Sequence, residues 1–439
     1  MKTTLTTIAA VLVLSVWAHG TERKPNIVII YTDDQGYGDF SAQNPDSKIP
    51  TPNLDRLAAE GIRFTDAHSS SGICTPSRYA LLTGRYHWRQ GYGIVGSHGQ
   101  PWFDKGRFTL ADMLKENGYR TACIGKWHLG WDWNAIRNPG KKQLAPDGHD
   151  WSKSLPGGPL ERGFEYYFGD DVPNFPPYTW IENDRILIEP TVPFTPIPVP
   201  QPGDEGGERM SGHDSRDGAM VEGWRLDAVP PRIAERAADW IAEQKDSDRP
   251  FFLYWAWTGP HTPVVPLPEF QGKTNAGPYG DFMHQLDFHL GQVLDTLEEH
   301  GFKDNTLVIF TSDNGPEDIA YARLQNHGHF SSGPLRGVKR DIWEGGHRVP
   351  FVVRWPRAIK GGQVNDRLIS QIDNTSGGVS RVPDWFNEKF DYPDNPHPGE
   401  LYNLADDLAQ RNNLWAEHPE RIEELRQKLN EIRRSGQVR

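Results

Sequence analysis

The sequence predicts an α/β fold built on a large, mostly parallel sheet flanked by helices. Three observations carry this. Short apolar runs alternate with amphipathic stretches along the chain, the pattern of strands joined by crossover helices. The strand-like runs are apolar on successive residues, as in strands buried on both faces. Polar clusters follow directly on several of those runs, where an open α/β sheet places its ligands.

Taken in order, Asn26 to Tyr31 (NIVIIY) reads as a buried strand. Thr51-Pro52 caps a helix whose Leu54, Leu57 and Ala58 share one face, with Gly61 as its stop. Thr109 to Asn117 repeats that pattern and ends at Gly118. Arg120 to Ile124, Phe251 to Trp257, Thr306 to Thr311 and Val349 to Trp355 read as further strands. Pro231 to Lys245 and Tyr279 to His300 are the longer amphipathic helices. Residues 131 to 218 are rich in Pro, Gly and Asp, with a proline-dense run from Pro193 to Pro202, and read as long ordered loops over the scaffold. Residues 373 to 400 are polar and proline-rich with little periodicity, and a last helix spans Pro419 to Arg433.

Composition narrows the class. The chain has 439 residues, 36% apolar, enough for one large α/β domain with an appendage or for two or three domains. Its 44 Gly and 36 Pro accompany 16 Trp and 19 Phe that need burial, so ordered loops rather than disorder are expected. A net charge of −12 without a long basic run makes nucleic acid and anionic membranes poor partners. Residues 1 to 18 have the form of a secretory signal: Lys2, the apolar run Ile8 to Val16, and Val16-Trp17-Ala18 as cleavage site. No later stretch approaches the ~20 apolar residues of a membrane span. An exported protein follows, periplasmic or extracellular. The two cysteines, Cys74 and Cys123, sit in unlike contexts, a helix start and a strand, which argues against a bridge between them.

The candidate chemistry lies at the strand ends. Asp33-Asp34 follows the first strand and Asp313-Asn314 follows Thr311. Three carboxylates and one amide oxygen make a hard-oxygen set suited to Ca²⁺ or Mg²⁺. Taken singly, each pair also fits an ordinary Asp-rich turn. In Cys74-Thr75-Pro76-Ser77-Arg78, Pro76 suits the first turn of a helix, so Cys74 lies near a helix N-terminus that favours anions. With 2 Cys, 36 Pro and 47 Lys plus Arg, a chance C-x-P-x-(K/R) match is expected only about 0.02 times. Gly125-Lys126-Trp127-His128, Pro260-His261-Thr262-Pro263 and Gly337-Val338-Lys339-Arg340 each bring a cation or an imidazole to the same region.

The C-T-P-S-R segment at 74–78 resembles the signature of the type I, formylglycine-dependent sulfatases of the alkaline-phosphatase-like superfamily. The likeness runs from Asn26 through Pro356 and resumes at Glu400-Leu401-Tyr402-Asn403-Leu404. It implies a sulfuric ester hydrolase in which Cys74 is oxidised by a formylglycine-generating enzyme and the hydrated aldehyde is the nucleophile. It further implies Ca²⁺ on Asp33, Asp34, Asp313 and Asn314, Arg78 stabilising the formylglycine, and Lys126 and Lys339 on sulfate oxygens. His128 is expected to bond the hydrate and His261 to serve the leaving-group oxygen. The loop around Gly163 to Gly169 resembles those of bacterial arylsulfatases, many of which act on sulfated sugars, so a carbohydrate sulfate is the expected substrate. Trp131, Trp133, Tyr178 and Trp180 are candidates for stacking on sugar faces, or for packing within the loop. The implied organisation is a signal at 1–18, a catalytic domain at 24–372 and a small, shortened C-terminal α+β subdomain at 373–439. Within 373–400 the sequence offers neither an apolar helical face nor alternating strands, where the family has both. Two other readings use the same residues: a phosphate or phosphonate ester hydrolase of the same superfamily, and a sulfated-glycan binder whose cysteine stays reduced.

Overall fold

The computed structural model describes residues 23–194, 215–371, 382–392 and 396–435. The expected signal at 1–18 and most of the 193–202 proline run lie outside them. In chain order the strands are β1 (Asn26–Asp33), β2 (Ile62–Phe64), β3 (Ala67–His68), β4 (Arg120–Gly125), β5 (Tyr166–Gly169), β6 (Ile181–Glu182) and β7 (Arg185–Ile186). They continue with β8 (Val192–Phe194), β9 (Gly218–Met220), β10 (Phe251–Pro260), β11 (Thr306–Ser312), β12 (Phe351–Arg354), β13 (Gln363–Asn365) and β14 (Ile369–Ser370). The helices are α1 (Pro52–Ala59), α2 (Cys74–Thr83), α3 (Leu110–Glu116), α4 (Val229–Ala242), α5 (Gly277–Glu299), α6 (Ile319–His327), α7 (Glu344–His347), α8 (Asp384–Phe390) and α9 (Pro419–Ser435).

Ten strands form one sheet in the order β13-β2-β12-β11-β1-β10-β4-β5-β6-β7. Its centre, from β11 to β5, is parallel, and β12 and the β6-β7 hairpin are antiparallel additions. The sheet is the large, mostly parallel one that the sequence predicts.

Strand alternation divides the core into two layers. Val28, Ile30, Leu253, Trp255 and Val308 face the layer closed by α1, α4 and α5. Ile29, Tyr31, Cys123, Phe252 and Tyr254 face the other, closed by Tyr79 and Leu82 of α2, Ala111 and Leu114 of α3, and Trp127 to Trp133. The apolar face read for the first helix is buried, at Leu54, Leu57 and Ala58. Its cap differs from expectation: the Thr51 hydroxyl accepts no helix N–H, and the Asp287 carboxylate on α5 accepts those of Asn53 (2.9 Å) and Leu54 (2.8 Å) instead. Thr109, by contrast, forms a capping box with Asp112.

Two loop readings are corrected. Tyr166 to Gly169 is a strand of the main sheet, paired with β4. Its neighbours are aromatic and part-polar, so it lacks the apolar run that marks the central strands. Second, residues 384–390 do form a helix with an apolar face. Phe386 of α8 is buried against Tyr321 (4.7 Å between ring centroids) and Phe330 (5.2 Å). The short β14 pairs with β3 outside the main sheet.

Candidate active site

Strands β1, β10, β4 and β11 run parallel, so their carboxyl ends lie along one edge, and each delivers a functional cluster there. β1 ends at Asp33, with Asp34 beyond it in the left-handed region at φ 63°. β11 leads to Asp313-Asn314, β4 to Lys126 and His128, and β10 to His261. Cys74 is the first residue of α2, and Pro76 lies in that helix's first turn as its fixed φ allows. The segment leading to α7 supplies Lys339. All ten residues singled out in the sequence therefore meet at one end of the sheet.

Contacts tie them into one cluster. The Lys126 ammonium donates to Asp33, and Lys339 lies 2.7 Å and 2.8 Å from the two oxygens of Asp34. Arg78 donates through Nη2 to Asp313 Oδ2 at 2.8 Å and through Nη1 to the Lys126 carbonyl at 3.0 Å. Asn314 donates to Asp34 Oδ1 at 2.6 Å, and His261 Nε2 stands 3.6 Å from Asp34 Oδ2. Both cysteines are free thiols, in keeping with the absence of a bridge read from their contexts.

Burial sets the protonation of these groups. Desolvation alone would raise the Asp33 carboxyl, yet Lys126, His261 and Arg78 hold it well below the usual range. Asp313 goes the other way, pushed up to about 7 by burial and by the charge of Asp33. Burial would lower Lys339, but Asp34 and Glu317 keep its ammonium raised. Burial and the nearby Lys126 hold His128 well below an ordinary imidazole, so its ring is neutral. His128 Nε2 lies 2.9 Å from the Val95 carbonyl and must donate to it. Nδ1 is then a bare acceptor without a partner among the described residues. The Cys74 thiol is raised by burial.

The oxygen set fits a divalent cation. Asp33, Asp34 and His261 present donor atoms within 4.8 Å of one another. Asp33 Oδ1 and Asn314 Oδ1 are buried without a hydrogen-bond partner among the described residues. Crowded carboxylates that push one member up to about 7 are the arrangement a bound cation relieves.

A cavity of about 170 Å³ opens onto the cluster, lined by Cys74, His128, His261 and Lys339. Its rim adds residues that sequence reading did not single out: Asn174, Phe175, Arg216 and Glu317. Glu317 follows Asn314 by three residues and holds Lys339 (3.1 Å) and Arg340 (2.7 Å), a position that spacing could have suggested. Phe175 and Arg216 lie in segments without periodicity, and nothing in the sequence marks them. Arg216 stacks on Phe175 at 3.7 Å, and Phe175 stands edge-on to His128. The four aromatic candidates for sugar stacking serve packing instead. Trp131, Trp133 and Tyr178 are at most 1% exposed, and Trp180 lies against Phe168 and Trp224.

The chain as a whole is similar to known proteins. The family model described as Sulfatase matches residues 25–377. The N-acetylgalactosamine-6-O-sulfatase of Bacteroides thetaiotaomicron is 32% identical over 501 aligned residues, covering 94% of this chain and 93% of that protein. Human N-acetylgalactosamine-6-sulfatase is 32% identical, and the match covers 81% of this chain but 62% of the human one. A solved structure from work on glycosaminoglycan metabolism by Bacteroides thetaiotaomicron superposes with a TM-score of 0.73 at 29% identity, over 93% of this chain and 99% of that one. With the family model spanning most of the chain and the fold shared, this chain belongs to the sulfatase family and is a sulfuric ester hydrolase.

Proposed function

We propose that the enzyme removes sulfate from a sulfated carbohydrate, using a nucleophile made by oxidation of Cys74 to formylglycine and a calcium ion held by Asp33, Asp34, Asp313 and Asn314. The observation that carries this reading is the position of Cys74. It begins a buried helix, lines the cavity, and faces the charges of Lys126 and Lys339. A packed structural cysteine has no use for that surrounding. When bound, calcium would supply Lewis-acid charge at the sulfate oxygens, and the hydrated aldehyde would supply the attacking hydroxyl.

The chain's own residues do the rest. Arg78 ties the Cys74 helix to Asp313 and so fixes the nucleophile against the metal set. Lys126 and Lys339, anchored by Asp33 and Asp34, bring positive charge to the oxygens that gain negative charge in the transition state. His128 Nδ1 accepts a proton from the nucleophile's hydroxyl. His261 Nδ1 is 2.6 Å from the Thr262 carbonyl and donates to it, so Nε2 delivers a proton to the leaving oxygen only from the doubly protonated ring, the form that Asp34 and Asp33 favour against the opposing effect of burial. The sugar hydroxyl is a poor leaving group, which is why that proton matters.

The names of the relatives point to a 6-sulfated N-acetylgalactosamine residue as the first substrate to try. The N-terminal pattern supports export to the periplasm or beyond, and a formylglycine-generating enzyme is the maturation partner. Among the described residues no helix is long and apolar enough to cross a membrane. The test compares sulfate release from N-acetylgalactosamine-6-sulfate and nitrophenyl sulfate with phosphate release from nitrophenyl phosphate. Sulfate release should dominate and vanish in Cys74→Ala with the fold retained. Faster phosphate release would assign the site to phosphate esters.

A further inference from the structure

A second group of metal-ligating side chains lies apart from the oxygen set. His68 of β3, with Glu344 and His347 of α7, presents three donor atoms within 4.8 Å of one another. All three residues are buried, at 8%, 4% and 6% exposure. His68 Nε2 lies 2.8 Å from the Asp66 carboxylate, and His347 Nε2 lies 2.9 Å from the Ile342 carbonyl. Both partners are acceptors, so each Nε2 carries a hydrogen, and a ring with no second hydrogen is left with an acceptor Nδ1. The two Nδ1 atoms face each other at 2.9 Å. At that separation two lone pairs repel, so the contact takes either one extra proton shared between the rings or a metal cation drawn in between them.

We propose that His68, His347 and Glu344 form a site for a borderline divalent cation of the Zn²⁺ type, distinct from the oxygen-ligated site beside Cys74. Both imidazoles already have the outer partners that metal-bound histidines use, a carboxylate on one and a backbone carbonyl on the other. Two nitrogens on one tetrahedral zinc stand about 3.3 Å apart, given Zn–N of about 2.0–2.1 Å. Small ring rotations therefore admit the ion. The charges agree as well. Arg348 donates to Glu344 at 3.0 Å and lies 3.3 Å from Asp66, so with neutral rings the cluster holds two carboxylates against one guanidinium. With Glu344 buried and Asp66 half-buried, a cation at the imidazoles would offset that charge. The donor set of two imidazoles and one carboxylate suits Zn²⁺ or Co²⁺ rather than Ca²⁺.

The position gives such an ion a task. His68 leads through Ser69 to Ser71 into the Cys74 helix, and His347 closes the segment that carries Lys339. The two segments already pair through Ser69 N to His347 O (2.7 Å) and Val349 N to Ala67 O (2.9 Å). An ion here would clamp the nucleophile's segment to the lysine's.

The full chain, stripped of metal and then saturated with Ca²⁺ to fill the oxygen site, is titrated with Co²⁺ and followed by its visible absorption. One equivalent should bind to wild type. His68→Asn and His347→Asn should lose that equivalent while keeping their Ca²⁺, and Asp66→Asn should weaken it about 10- to 100-fold. Should the histidine variants fail to fold, nitrogen NMR of wild type with Zn²⁺ reads the same question, and two Nδ1 resonances should shift together. No uptake of Co²⁺ by the Ca²⁺-saturated protein overturns the proposal. So does a His347→Asn variant that binds as wild type, or an NMR signal of one proton shared between the rings that added Zn²⁺ leaves unchanged.

Discussion

At the scale of single residues, the active site is a set of opposed charges that hold one another in place. Lys126 and Lys339 are each held by a carboxylate, Asp33 and Asp34, so under the proposed function removing either should disturb both sulfate binding and the calcium site. Lys126→Ala and Lys339→Ala should each lower kcat by about 10²–10³, the loss typical of a preorganised donor to developing charge. His261→Ala should act selectively. Sulfate release from a sugar should fall about 10²–10⁴-fold, and release from nitrophenyl sulfate much less, because nitrophenolate leaves without a proton. Equal losses on both substrates would remove His261 from that role. Asp313→Ala should lose calcium and activity together, as read by elemental analysis beside the assay. Full metal content in that variant would break the ligand assignment. The gathering of these ten residues at one end of the sheet was legible because most follow directly on apolar strands, and Cys74 and Arg78 sit in the C-T-P-S-R segment. The roles proposed for them come from the family resemblance. Phe175 and Arg216 were hidden because no pattern in their segments says which way a side chain faces.

Among the elements, the central strands and long helices could be read from apolar runs and periodicity, since burial on two faces leaves a continuous signal. What escaped were features set by distant contacts. β5 joins the sheet through its register with β4, which its own composition does not announce. The α1 cap is likewise tertiary: Asp287 reaches from α5 to the N–H groups of Asn53 and Leu54. Asp287→Ala should therefore destabilise the protein by about 1–2 kcal/mol, the worth of a helix cap with part-buried donors. Urea melts would check this, and a change below about 0.5 kcal/mol would place the cap elsewhere.

For the molecule as a whole, we propose that the C-terminal subdomain at 373–439 is shortened relative to its family. The aligned length of 501 residues with the bacterial relative exceeds the 439 of this chain, so that relative carries residues this chain lacks. The surface agrees. Val364 on the edge strand β13, Leu368 in the connection to β14 and Leu425 on α9 are exposed at 61%, 66% and 40%. The small cluster of Phe386, Tyr321 and Leu324 fastens α8 to α6, and so anchors a region the sequence reading had left without apolar structure. The native protein should bind ANS before its main thermal transition, and Phe386→Ala, at a cost of about 3–5 kcal/mol, should increase that binding. A single sharp transition with negligible dye binding would show a compact, complete C-terminal unit instead.

The central claim is that catalysis depends on a nucleophile made from Cys74. The most direct test is the mass of the peptide containing residue 74, taken from an enzyme sample whose sulfate release has been measured. The account predicts that sulfur and two hydrogens are replaced by one oxygen at that residue, and that turnover scales with the converted fraction across preparations. Full turnover from a sample whose peptide carries only unmodified cysteine would contradict it.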